Sequence, residues 1–135
     1  PWGPEQNFNR GLRRKMRVLI VEGKPDLGWI WSRHLKRCGF EVFVSSNQSD
    51  AIATLQNDNI DIIILNLILE NGSAFAVADF ASYRQPKAKV IFVTDSGFFS
   101  DGSIFQHIPN ACAMMPTEVS PEDLGALVEH YGANH

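Results

Sequence analysis

Four hydrophobic runs in this chain end in short turns, and the residues at those ends are the ones placed to do chemistry. They are Glu22-Gly23 after RVLIVE, Asn66 after IDIIILN, Thr94 after KVIFVT, and Met115-Pro116 after ACAMM. If the runs are strands of one open α/β sheet, their carboxyl ends converge on a single crevice, which is where such sheets hold ligands. The set supplies one carboxylate, one carboxamide, one hydroxyl and one thioether. With one acid and no base, it lacks a partner for proton transfer.

The neighbouring polar residues read as structural. Glu22 is expected to accept hydrogen bonds from Thr94, Lys24 or a loop amide, and Lys24 stands close enough in sequence to neutralise it. Asp95 follows Thr94 and is expected to point away from the crevice as a turn residue. Lys87 reads as solvated, and Asp61, five residues before Asn66, belongs at the opposite end of its strand. His34 falls on a helical stripe as a partly buried packing residue, while His107, His130 and His135 have no zinc-ligand spacing.

The elements that must position these residues follow from periodicity. Strands are predicted over Arg17 to Glu22, Glu41 to Ser45, Ile60 to Asn66, Lys89 to Thr94 and Ala111 to Met115. The third is apolar almost throughout, as a strand covered on both faces must be, and the second alternates as an edge strand does. Helix one is expected to be capped by Asp26, to bury Leu27, Ile30, Trp31, Leu35 and Cys38, and to close at Gly39. Helix two spans Gln48 to Asn57 with Ala51, Ile52 and Leu55 inward; helix three runs from Ser73 to about Tyr83; a short helix is expected near Ser103 to His107. Ser120-Pro121-Glu122-Asp123 starts the last helix, with a capping serine and proline in the first turn, and buries Leu124, Leu127, Val128 and Tyr131. Strict alternation calls for a flavodoxin-like, doubly wound (βα)5 fold with a parallel sheet in the order 2-1-3-4-5. Glu22, Gly23 and Asn66 then form the crevice floor.

Bulk properties limit the alternatives. At 135 residues, 44% hydrophobic, the chain is long enough for one domain and too short for two. A net charge of −3 gives no pull toward nucleic acid or an acidic membrane. The longest apolar run, Ile62 to Leu69, is broken by Asn66 and too short to span a bilayer. No signal-peptide pattern opens the chain, and Cys38 and Cys112 are expected to be reduced, buried thiols of a cytoplasmic protein. Residues 1–15, PWGPEQNFNRGLRRK, carry prolines, glycines and a basic cluster without periodicity, and read as a disordered leader or an appended segment. The domain is expected over 16–135.

From Met16 to about Tyr131 the chain resembles the receiver domains of two-component response regulators. The resemblance rests on VLIVE before helix one, DIIILNLIL, VIFVTDSG, and MMP before the last helix. The intervals support it as well: 43 residues from Gly23 to Asn66, 28 from Asn66 to Thr94 and 21 from Thr94 to Met115. The family's chemistry, as the resemblance implies it, uses an acidic pair after strand one to hold Mg²⁺, a phospho-accepting aspartate after strand three, a hydroxyl after strand four, and a lysine before a proline after strand five. Those positions are Glu22 and Gly23, Asn66, Thr94, and Met115 with Pro116. An amide forms no acyl phosphate, one acid makes a poor Mg²⁺ site, and a thioether replaces the cation that would offset phosphoryl charge. The family's aromatic switch position corresponds to Cys112.

The expected reading is therefore a degenerate receiver, not an enzyme, with weak or absent Mg²⁺ binding and no other cofactor, acting through phosphorylation-independent protein contacts. Its partner is expected to be a kinase, a phosphotransfer protein or another regulator, or a second copy. Phe98, Phe99, Ile104 and Phe105, more large apolar groups than a short surface helix needs, are the candidate interaction surface. Two alternatives are a conventional phosphorelay receiver with an atypical acid and a flavodoxin-like small-ligand binder. Asp61 is too far from the crevice for the first. For the second, the loop EGKPDLG lacks the hydroxyls a phosphate loop needs.

Overall fold

The computed structural model describes residues 15–95 and 108–133 of the chain. The expected leader, save Lys15, lies outside the described residues, as do the expected short helix and all four residues of the candidate interaction surface. In order, the elements are β1 (Arg17–Val21), α1 (Pro25–Arg37), β2 (Glu41–Ser45), α2 (Gln48–Asn57), β3 (Ile62–Asn66), α3 (Ala74–Arg84), β4 (Lys89–Thr94), β5 (Ala111–Pro116) and α4 (Pro121–Ala133).

The five strands form one parallel sheet in the order β2-β1-β3-β4-β5. Its central strands are buried almost end to end because side chains on both faces meet helices. Leu19, Ile63, Leu65, Val90 and Phe92 join Leu55 of α2 and Val77 and Ala81 of α3 in one core. Val18, Ile20, Ile64, Ile91 and Val93 meet Trp31 and Leu35 of α1 and Leu124 and Val128 of α4 in the other. The unusual apolarity of α3 is explained by its four buried residues, three of them alanines, which let the helix lie close to the sheet.

Local signals act at the helix ends. Asn47 and Ser73 accept the N–H of Asp50 and Ala76, and Ser120 Oγ accepts that of Asp123 at 3.1 Å, so α2, α3 and α4 begin where a side chain satisfies an orphan donor. Helix α1 corrects the expectation for Asp26. Its N-cap is Lys24, Pro25 occupies the first turn, and Asp26 lies inside the helix, where it complements the dipole without capping. Gly39, at φ +98°, ends that helix as expected.

Two burial expectations are also corrected. Ile30 is exposed, because the face of α1 against the sheet runs through Gly28, Trp31, Ser32 and Leu35. Cys38 is exposed at the end of α1, where the chain turns away from the core, and Cys112 is half-buried. Burial pushes the Cys112 thiol up to about 11, against a weaker opposing influence from Lys89. Among the described residues, no helix is long and apolar enough to cross a membrane.

Candidate functional site

The strand register sets the site. Val21 of β1 stands beside Leu65 of β3, so Glu22 and Asn66 emerge side by side at the carboxyl end of the sheet. Asn66 pairs with Val93, and Thr94 pairs with Pro116, which brings the ends of β4 and β5 to the same level. The Glu22 N–H bonds the Ser45 carbonyl at 3.0 Å, extending the β1–β2 ladder one residue beyond the strand and fixing where the side chain departs. Gly28 of α1 allows close passage over that side chain. A Cβ there would lie 3.8 Å from Glu22 Cβ and 3.6 Å from Val44 Cγ1.

Glu22, Asn66 and Thr94 are buried polar residues, only 2%, 6% and 5% exposed. Asn66 Nδ2 donates to Glu22 Oε1 at 2.7 Å, and the Lys24 backbone N–H donates to Glu22 Oε2 at 3.0 Å. The Ile68 N–H donates to Asn66 Oδ1 at 2.9 Å. Each of these carboxylate and carboxamide oxygens thus has a donor, and the amide orientation satisfies an acceptor on one side and a donor on the other. A carboxylate at position 66 could not make the same contact, since two acceptor-only groups at this separation repel unless a proton or cation lies between them. The –NH2 of Asn66 occupies that intermediary role.

The expected partners of Glu22 are met in part. Lys24 reaches it through the main chain, while its side chain is exposed, so a peptide dipole supplies the contact seen at Glu22 Oε2. The direct Asn66 contact is the one that sequence reasoning passed over, although the 2-1-3 strand order already made β1 and β3 neighbours. Gly23 is half-buried in the turn, and a Cβ there would meet nothing closer than the Ser46 carbonyl at 3.8 Å. Met115 is half-buried and packs against the core beneath α1 and α4, with Pro116 exposed after it. Asp95 is exposed, as a turn residue should be. Asp61 lies at the other end of the sheet, where its Oδ2 accepts the Arg17 N–H at 2.8 Å. Among the described residues, no group of three His, Cys, Asp or Glu side chains could hold a metal ion.

A cavity of about 870 Å³ lies at that opposite pole, beside Asp61, Gln85, Lys89 and Asn110. Its polar groups serve the fold. Gln85 accepts the Ile60 N–H and donates to the Leu55 and Asp58 carbonyls, holding the end of α2 against the start of β3. The Arg84 guanidinium donates to the Gln56 carbonyl, and Lys89 Nζ to that of Tyr131, so each cation covers a carbonyl near the end of a helix.

No protein-family model and no curated protein sequence matches the chain. Solved structures do. A CheY-like response regulator receiver domain protein from Methanospirillum hungatei JF-1 superimposes with a TM-score of 0.83 at 19% identity, covering 90% of this chain and 96% of that one. The non-phosphorylated HemR receiver domain from Leptospira biflexa gives 0.79 at 19% identity, covering 88% and 95%. The response regulator TrrA from Thermotoga maritima, in complex with Mg²⁺-BeF, gives 0.75 at 20% identity, covering 86% and 98%. The chain has the receiver fold.

Proposed function

We propose that this chain is a receiver-like signalling domain that has lost the phospho-accepting aspartate and works through protein contacts independent of phosphorylation. The observation that carries the reading is the buried 2.7 Å hydrogen bond from Asn66 to Glu22. Phosphoryl transfer to a carboxylate needs a nucleophilic oxygen, a hard cation bridging it to the phosphoryl oxygens, and positive charge on the far side. At the corresponding positions this chain has an amide nitrogen directed at Glu22, a glycine beside a single carboxylate, and Met115. The donors present do not fit Mg²⁺, because the Glu22 oxygens are already engaged and displacing Asn66 would leave buried polar atoms unsatisfied. The domain is then neither an enzyme nor a phosphate switch. Its output is recruitment in the cytoplasm of a kinase, a phosphotransfer protein or another regulator, with Phe98, Phe99, Ile104 and Phe105 as the candidate surface.

The test is exposure to a small phosphodonor, and separately to beryllofluoride, at millimolar Mg²⁺, with a receiver known to bind Mg²⁺-BeF as the positive control. The expected outcome is an unchanged intact mass and no beryllofluoride-induced shift in the Asn66 and Thr94 amide resonances. A hydroxylamine-labile phosphoryl adduct would overturn the reading.

A further inference from the structure

β2 is an outer strand, and among the described residues only β1 pairs with it. The Glu41 N–H bonds the Met16 carbonyl, and the Ser45 carbonyl accepts the Glu22 N–H. In a parallel ladder this alternation turns the main-chain groups of Glu41, Phe43 and Ser45 toward β1, and those of Val42 and Val44 outward. The outward groups lie beside an apolar surface. Val44 is 51% exposed and Trp29 61% exposed, with the Arg33 guanidinium 5.2 Å from the Trp29 ring centre.

The position of Trp29 follows from helix geometry. His34 and Cys38 mark the flank of α1 facing α4, since a Cβ on Gly125 would lie 3.1 Å from His34 Nε2 and 3.5 Å from Cys38 Sγ. At about 100° per residue, Trp29 stands roughly 160° around the helix from that flank, on the side of the β2 edge that no other described strand pairs. Natural edge strands are commonly blunted by lysine, proline, a bulge or inward-pointing charge. β2 has none of these: its register with β1 is unbroken, and its single charge, Glu41, is held by Arg17 at 3.1 Å.

We infer that β2 is an interface between two copies of this chain, pairing antiparallel with itself about Phe43 so that the two sheets join into one. The second copy is the occupant because the strand is complementary to itself in that register. Val42 of one copy faces Val44 of the other, and each such pair has its outward N–H and C=O aligned to exchange two hydrogen bonds, four in all. A two-fold axis perpendicular to the sheet keeps faces matched, so each Val42–Val44 pair lies on the α1 side, which also carries Trp29 of each copy. On the other side Phe43 meets Phe43, each with an Arg17 guanidinium 5.9 Å from its ring centre. Glu41 falls opposite Ser45, so no like charges are opposed. A five-residue strand pair with Phe43 and Trp29 from each copy is small for an interface, so association is weak and depends on concentration.

Sedimentation equilibrium over a wide concentration range, with amide hydrogen exchange at both ends of it, tests the inference. The expected result is a reversible rise to twice the monomer mass, with the Val42 and Val44 amides becoming protected as the dimer forms. Val44→Lys and Trp29→Ser, both at exposed positions, should keep the monomer's circular dichroism and raise the dimer dissociation constant about tenfold or more. A chain that stays monomeric throughout overturns the inference, as does a dimer whose Val42 and Val44 amides still exchange freely. Protection of those amides only on adding another protein, with the chain alone monomeric, also overturns self-pairing. The exchange readout uses the unaltered chain, so it holds even if a variant fails to fold.

Discussion

At residue scale, the amide of Asn66 does the work that a cation or a proton would do between two acids. The site residues were legible in the sequence because each ends a hydrophobic run, and strand ends in a parallel sheet share one edge. Their mutual hydrogen bonding was less legible, because it depends on χ angles and on which atom of an amide faces which neighbour. Asn66→Asp isolates the effect. With Glu22 2% exposed and residue 66 6% exposed, the new pair shares a buried site, and one of its two pKa values should be raised above the unfolded range. A carboxyl whose folded pKa is raised holds its proton longer in the native state, so stability falls as pH climbs from the unfolded pKa through the folded one. The variant should therefore approach the parent's stability near pH 4 and lie about 3 kcal/mol below it at pH 7, as read from urea denaturation. Glu22→Gln, which keeps an acceptor for Asn66 without the charge, should show no such pH trend. The same variant tests the chemistry: Asn66→Asp alone should remain unlabelled by a phosphodonor, whereas Gly23→Asp, Asn66→Asp, Met115→Lys together should gain Mg²⁺-dependent labelling. Gly23 has room for the new side chain and Met115 is only half-buried, so the triple change is sterically accessible. Rapid labelling of Asn66→Asp by itself would show that neither lysine nor a second acid is needed.

At the scale of elements, periodicity located β2, α2 and β4 correctly because each has an uninterrupted pattern bounded by turn residues. Helix α1 was harder to read. Asp26 is a strong N-cap type, but Pro25 is better suited to the first turn, and the helix begins two residues earlier than an Asp26 cap would have it, with Lys24 at the cap. The apolarity of Ile30 places it on the predicted stripe, whereas Gly28 and Ser32, too small to mark one, share the sheet-facing side with Trp31 and Leu35. The β3–α3 connection offers a sharper test of local structure. Gly72 has φ +113°, and a Cβ there would fall 2.4 Å from Gln48 Cβ, on the side chain whose Oε1 accepts the Ser73 N–H at 2.8 Å. Gly72→Ala should cost about 1–3 kcal/mol and loosen the start of α3, whereas Gly23→Ala, with its nearest neighbour at 3.8 Å, should change stability by about 0.5 kcal/mol or less. Equal losses from the two would show that backbone conformation and the Gln48 contact are immaterial. On β5, a thiol pushed up to about 11 is almost wholly protonated at pH 8, giving Cys112 about a hundredfold less thiolate than an ordinary cysteine. Iodoacetamide should thus modify exposed Cys38 first and Cys112 only slowly, with the Cys112 rate still rising above pH 9; mass spectrometry of timed digests reads both.

At the scale of the whole molecule, strict alternation of strands and helices specified the topology, since right-handed crossovers leave few ways to arrange five parallel strands. The sheet order and both cores follow from that constraint and from which side each apolar residue faces. What a partner would recognise was less legible, because exposed apolar residues carry no period and are judged only against a surface. A surplus of large apolar groups singles out Phe98, Phe99, Ile104 and Phe105 but not Val44, on the strand that only β1 pairs among the described residues, or Trp29 on the helix beside it. The two surfaces are separable by experiment. Output through the phenylalanine group predicts that Phe98→Ser, Phe99→Ser leaves the melting temperature within a few degrees of the parent and leaves the β2-dependent dimer unaltered. Capture of a cognate kinase or regulator should fall about tenfold or more, because aromatic anchors carry a large share of interface energy. Val44→Lys should do the reverse, weakening the dimer while sparing that capture. If the phenylalanine variant instead loses its near-ultraviolet circular dichroism and its cooperative unfolding transition, those rings are core groups of the receiver fold, and recruitment must be sought on another face.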